Sequence, residues 1–184
     1  ALILTDQDAH TATYVGPPFV YGFERVGTSC GLVSRKAIAS TDYGVFWMGQ
    51  RSFYMFNGSN VTEVQCDVLD HVFEDINTSQ LSKVHAAVNG QFSEVWWWYP
   101  SEGSNECDRY AAFNFKEGWW HYGEMDRTAA IDRGVFKYPF GVSSGGDVFE
   151  HEIGLDYESA DVYAETGPFA LAAGDNVMAC THLY

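Results

Sequence analysis

Basic side chains are scarce in this sequence: ten Lys and Arg stand against 25 Asp and Glu, and the formal net charge at pH 7 is −15. A surface so poor in cations does not grip duplex DNA, because that binding needs Lys and Arg to displace counterions from the phosphates. It does not adsorb to an anionic bilayer either. Plain solubility accounts for the acid surplus. The functional alternative is a surface past which a polyanion moves without sticking. No apolar run is long enough to cross a bilayer and no secretory leader is visible, so no membrane anchor is expected. The four cysteines, Cys30, Cys66, Cys107 and Cys180, contain no C-x-x-C pair, so zinc and redox spacings are missing. They read as reduced, partly buried thiols of a protein made in a cytosol.

Signatures of catalysis are missing as well. There is no G-x-S-x-G elbow and no G-x-x-x-x-G-K-[ST] loop. The histidines His10, His71, His85, His121, His151 and His182 form neither H-x-H nor H-E-x-x-H, and Leu155 stands where a second histidine after His151-Glu152 belongs. Cys180 and His182 alternate onto one strand face, too little for a metal. Carboxylates gather at Glu150 and Glu152, expected to share a strand face, and at Asp156, Glu158 and Asp161. A calcium loop needs denser ligands and a central glycine, so this reads as a solvated acidic rim. No catalytic, cofactor-binding or metal-binding residue is assigned.

What is abundant is strand-forming material. Hydrophobic residues make up 46% and aromatics 16% of the 184 residues, a globular composition of one domain's length or part of a larger one. Three segments share one layout: residues 36–40, a turn at Asp42-Tyr43-Gly44, then 45–48; residues 83–88, a turn at Asn89-Gly90, then 94–99; residues 137–142, a turn at 143–146, then 147–150. Val45, Val95 and Val148 recur at a period of about 50 residues, which suits a large four-stranded propeller blade. A β-sandwich with evenly spaced hairpins is the alternative. The labels of WD40 and sialidase propellers are missing. One helix near 67–77 interrupts the strands, with apolar Val68, Leu69, Val72, Phe73 and Ile76 and with Asp67 as the expected N-cap.

The expected fold is therefore mainly β, a partial β-propeller of about three blade-like antiparallel repeats (about 36–66, 83–123 and 137–166) with one short helix. Residues 1–35 read as lead-in strands and a loop, and 167–184 as an exit strand. The strand-like openings at Ala1-Leu2-Ile3-Leu4 and Val177-Met178-Ala179-Cys180 suggest a segment of a longer polypeptide.

Aromatic density at Trp96-Trp97-Trp98-Tyr99 and Trp119-Trp120-His121-Tyr122, with Glu94, Glu117 and Glu124 nearby, permits a glycosidase reading: one carboxylate as acid, another as nucleophile. Strand alternation sends Trp97 one way and its neighbours the other, which favours packing between blades. The sequons at Asn57, Asn60 and Asn77 sit at turns, where composition produces such matches by chance. Arg35, Arg109, Arg127 and Arg133 are expected in structural ion pairs, for example with Asp126 or Asp132.

Several motifs resemble one family. They are Val15-Gly16-Pro17-Pro18-Phe19, Gly22-Phe23, Cys30-Gly31-Leu32-Val33, Val45-Phe46-Trp47-Met48-Gly49-Gln50, Phe73-Glu74-Asp75-Ile76-Asn77, Glu94-Val95-Trp96-Trp97, Asp108-Arg109-Tyr110 and Ile131-Asp132-Arg133-Gly134-Val135-Phe136. Together they resemble the tail nozzle or tail hub proteins of short-tailed bacteriophages, akin to the packaged-DNA stabilisation proteins, from about Leu4 to Gly167. The resemblance implies a non-enzymatic virion protein of the phage tail, assembled in the host cytoplasm. Its partners would be its own copies in a ring, usually a hexamer, together with the portal-bound adaptor and other tail proteins. The ring retains packaged DNA and conducts it during ejection without specific binding. The rival reading is a carbohydrate-binding or glycan-cleaving β-propeller domain.

Overall fold

Strands form here where β-branched and aromatic runs meet residues that turn the chain tightly. The computed structural model describes residues 1–154, and the compact unit Ala1–Ile153 contains four antiparallel sheets. The first has β1 (Leu2–Leu4), β2 (Ala9–Gly16) and β3 (Val20–Gly27) in the order β1-β2-β3. The second is an up-and-down meander of β4 (Ile38–Thr41), β5 (Gly44–Met48), β6 (Phe53–Phe56) and β7 (Val61–Val64). Its turns follow local chemistry. Asn57 Oδ1 accepts from the Ser59 and Asn60 backbone N–H groups, and Gly58 takes φ +100°, which a side chain would resist.

Helix α1 (Leu69–Asp75) follows, then a 3-10 segment (Thr78–Lys83) capped by Asn77 Oδ1 on the Ser79 N–H. The third sheet is a second meander of β8 (His85–Asn89), β9 (Glu94–Tyr99), β10 (Arg109–Asn114) and β11 (Trp120–Glu124). The fourth has β12 (Ala129–Ile131), β13 (Phe140–Val142) and β14 (Val148–Glu150). Strand β8 begins beside the chain entering β4, with a parallel bridge between Lys36 and His85 and an Ala86 N–H donated to Lys36 O at 2.8 Å. Strand β12 lies beside β8 in turn.

Period-2 alternation sends each strand's two faces into different layers. From β5, Phe46 and Met48 face the third sheet, where they join Phe53, Val95, Trp97, Tyr99, Ala111, Phe113 and the α1 residue Val72 in one buried cluster. Trp47 turns the other way and packs with Ala9, Cys30 and Phe56 under the first sheet. Trp47 and Trp97 are also tethered: Trp47 Nε1 donates to Cys30 O at 2.8 Å and Trp97 Nε1 to Ala37 O at 3.1 Å.

Several expectations change. Residues 1–35 hold strands as expected, and β1, β2 and β3 there pair into a sheet of their own. The third hairpin unit begins earlier than 137, because β12 pairs with β13. A three-residue strand is too short to show a period, and Val148 opens the third strand of its sheet rather than matching Val45 and Val95 in the second strands β5 and β9. The helix spans Leu69–Asp75 and its N-cap is Val68, without a side-chain hydrogen bond. Burial of Val68 and Leu69 against the core sets its start, not Asp67. Glu150 ends β14, whereas Glu152 lies beyond it with φ +61°, so the two do not share a strand face. The exit strand, Asp156, Glu158, Asp161, Cys180 and His182 lie outside the described residues.

Candidate functional site

The polar and aromatic residues that could carry chemistry collect on one face of the third sheet. Register places Asn89, Glu94 and Asn114 side by side at one end of β8, β9 and β10. All three are buried, and a buried polar group must find partners. Asn114 Nδ2 donates to Phe92 O, and its Oδ1 accepts from the Lys116 and Glu117 N–H groups, which closes the β10–β11 turn. Asn89 Nδ2 donates to Glu152 Oε1 at 2.8 Å. Glu94 Oε2 accepts from Trp96 Nε1 at 2.8 Å, and Glu94 Oε1 lies 3.6 Å from His121 Nε2.

An aromatic layer runs on from Glu94. Trp96 stacks on Tyr110 with centroids 4.5 Å apart and on Trp98 at 5.7 Å, and Trp98 lies nearly parallel to His85 at 5.3 Å. His85 holds Nδ1 against Lys83 O at 3.3 Å, and burial pushes its pKa down. Between this layer and the fourth sheet runs a cleft lined by Ala87, Trp96, Trp98, Ile131, Phe140 and His151. Its empty volume is about 320 Å³ including the open mouth. The enclosed part admits about one water, far short of a sugar ring.

The carboxylate pair that the rival glycosidase reading would need does not form among Glu94, Glu117 and Glu124. Glu94 belongs to the Trp96 face, whereas Glu124 pairs across β10 and β11 with Arg109, on the Tyr99 face and at the opposite end of the sheet. Glu117 is an exposed turn residue. A retaining glycosidase needs two carboxyl groups about 5–5.5 Å apart flanking one bond, and opposite faces of a sheet cannot supply that. One carboxylate, hydrogen-bonded to its own strand neighbour, is a packing element rather than an acid–base couple.

The histidines are dispersed. His71 packs on Tyr122 with centroids 4.0 Å apart. His10 pairs across β2 and β3 with Arg25. His151 accepts from Arg127 Nε at 2.9 Å, and burial followed by the Arg127 charge pushes its pKa down to about 4, so it is neutral at pH 7. No group of three His, Cys, Asp or Glu residues that could hold a metal occurs among the described residues. Cys30, Cys66 and Cys107 are free thiols, and burial pushes Cys66 and Cys107 up to about 12.

Arg109 forms a structural ion pair as expected, but Asp126 and Asp132 are not the partners. Asp126 accepts from Ser144 Oγ and N, and Asp132 Oδ1 accepts from the Arg133 N–H, so both carboxylates serve local turns. Arg127 instead lies over the Phe149 ring at 4.3 Å. Among the described residues, the Lys and Arg ion pairs are Arg109 with Glu124, Arg109 with Asp75 at 3.8 Å, Lys83 with Glu106 and Arg25 with Asp8. Sequence reasoning missed the Asp75–Arg109 link and the Asn89–Glu94–Asn114 row. Both depend on register across strands, although polar residues at the ends of three aromatic runs were a visible hint. No helix among the described residues is long and apolar enough to cross a membrane. No family model matches the chain, and no curated protein matches it.

Proposed function

We propose that this chain is a structural module of a phage tail, part of a ring-shaped nozzle or hub that retains packaged DNA and conducts it during ejection. The observation that carries the reading is where the aromatic strand faces go. Phe46 and Phe53 of the second sheet meet Trp97 and Phe113 of the third, while Trp96 and Trp98 turn toward the fourth. Successive antiparallel sheets stacked face to face, with β4, β8 and β12 side by side, support a reading as blades of a partial propeller. Such stacking makes a stiff wall. The family resemblance supplies the assembly in which a stiff wall is useful. The −15 net charge suits a channel lining that repels phosphate.

The competing reading is a carbohydrate-binding propeller domain. Trp119, exposed beside His121 at 5.3 Å, is the feature that favours it, because an open indole face can stack on a sugar. Electron micrographs of assembled particles separate the two. A ring around a central bore is expected, unchanged by Glu94→Gln or Glu117→Gln. Cleavage of a glycan, abolished by either substitution, would replace the nozzle reading with the enzymatic one.

A further inference from the structure

No layer of the unit covers the outer half of the β2–β3 hairpin. Residues 9–23 contain no Asp, Glu, Lys or Arg, in a chain where 19% of residues are charged. Every residue from Thr13 to Tyr21 except Gly16 is exposed. Phe19 at the tip is 81% exposed, and Phe23 further back is 71% exposed. Strand β1 pairs with β2 only from Ala9 to Thr11, and the Ala1 backbone closes on Ala12. Beyond Ala12 the hairpin is therefore a two-stranded ribbon. A ribbon of this kind gains little stability from its own burial.

Both faces of the ribbon are apolar. Register pairs Tyr14 with Tyr21 and Ala12 with Phe23, so Tyr14, Tyr21 and Phe23 project from one face. Val15 lies on the other face over Gly22, its Cγ1 3.1 Å from the place a Cβ there would take. The residues are also ordered along the hairpin. Pro17, Pro18 and Phe19 form the tip, with Val15 and Val20 beside it. The Tyr14–Tyr21 pair, with ring centroids 5.8 Å apart, follows behind the tip. Tyr14 stands two residues, or about 7 Å, behind Gly16. The first charges, Glu24 and Arg25, come only after Phe23, and Arg25 pairs with Asp8 at 3.5 Å. A flat protein surface covers one face of a ribbon and leaves the other wet. A medium that surrounds the tip covers both. A lipid interface does so, and it also holds tyrosine hydroxyls at headgroup level behind an apolar tip.

We propose that the β2–β3 hairpin docks tip first in the interfacial layer of a zwitterionic lipid bilayer. Val15, Phe19 and Val20 enter, the Tyr14–Tyr21 pair lies at the headgroups, and Glu24 and Arg25 stay in water. The depth is limited to roughly 5–10 Å, as for other interfacial segments. Deeper entry is opposed because the outer edges of the ribbon carry backbone N–H and C=O groups that hydrocarbon cannot satisfy. The contact is thus shallow and peripheral, not an anchor that spans. The lipid is zwitterionic because a chain of charge −15 is repelled by anionic headgroups. The contact does not depend on the ring reading, although copies held in one ring would insert several hairpins together.

Flotation of the 184-residue chain with phosphatidylcholine vesicles tests this. The unmodified chain should float with the vesicles, and added phosphatidylserine should lower the bound fraction. Phe19→Ser should weaken partitioning about tenfold or more, as expected when one large apolar side chain is lost from the buried set. Phe19→Asp should abolish it, with an unchanged melting temperature because the side chain is exposed. If Phe19→Asp loses its circular dichroism signature, Phe19→Ser serves in its place. Val135→Asp, at an exposed apolar residue in the loop before β13, should bind like the unmodified chain. Phe19→Trp should keep binding, and its added emission should be quenched by lipids brominated on the acyl chains, while the six native tryptophans are not. An unmodified chain that does not float, flotation that survives Phe19→Asp, or an indole at position 19 that the bromines leave bright overturns the docking. So does sedimentation velocity in which the hairpin joins two copies and vesicles do not separate them. Rings in micrographs of a chain that ignores vesicles would sink the docking alone. Vesicle binding by a chain that forms no ring would support the docking and refute the ring.

Discussion

Replacing Trp97 tests whether the second and third sheets are one structural body. Its side chain is fully buried, with the Phe53 ring at 4.8 Å and the Trp120 ring at 5.8 Å. Its Nε1 donates to Ala37 O at the entry to β4. Trp97→Ala removes the largest shared side chain and leaves a cavity, a loss of about 3–5 kcal/mol. That is a large part of the ~5–15 kcal/mol by which domains are stable. Trp97→Phe should cost about 1–2 kcal/mol. It removes one hydrogen bond of about 0.5–1.5 kcal/mol, but Ala37 O keeps the Met48 N–H at 3.0 Å, so no buried carbonyl is orphaned. Urea unfolding followed by far-ultraviolet circular dichroism should show one transition for all three proteins, with lower midpoints and an unchanged slope. A cost below about 1 kcal/mol for the alanine variant, or a transition that splits in two, would refute the shared core.

His151 makes stability depend on pH in a stated direction. Its folded pKa of about 4 lies below the ordinary histidine value of roughly 6.5, so the unfolded chain takes the proton first. The stabilisation is present above pH ~6.5 and is lost as pH falls from there through about 4. The ring is partly solvated, which limits the effect to about 1 kcal/mol. Melting temperatures of His151→Gln should fall less steeply over that window, and His85, whose pKa burial also depresses, contributes to the slope that remains. Cys66 and Cys107, with thiol pKa values pushed up to about 12, should react slowly with iodoacetamide at pH 8 in the native chain and at least tenfold faster in urea. Fast native alkylation at Cys107, read by mass spectrometry of the peptides, would contradict its burial.

How far the sequence reached depended on the range of the forces involved. Hairpins at Asp42-Tyr43-Gly44, Asn57-Gly58 and Asn89-Gly90 were legible because turn chemistry is local: Thr41 Oγ1 accepts from the Tyr43 N–H, and Asn57 Oδ1 from two amides. The opposite destinations of Trp97 and its neighbours were legible because strand alternation is a geometric certainty once a strand is assumed. Strand β12 was not, since Ala129-Ala130-Ile131 is too short to carry a pattern. The arginine partners were not either. Arg109 reaches Asp75 of α1 and Glu124 of β11, which sequence separation conceals. Asp126 and Asp132, close to arginines along the chain, are engaged by turn amides instead. At the site itself, the residue types suggested sugar chemistry, but the register that parts Glu94 from Glu124 is a long-range property.

Valine and aromatic residues build both β9, which is buried, and β3, which is not, so composition alone does not decide burial. What decides it is a facing layer. Strand β9 has the second sheet on one side and the fourth sheet on the other, and both of its faces fill. The outer half of the β2–β3 ribbon has no such layer within the unit Ala1–Ile153, and its aromatic face stays open. A contiguous exposed apolar ribbon gains little folding energy within its own unit and marks a surface suited to covering by something outside that core.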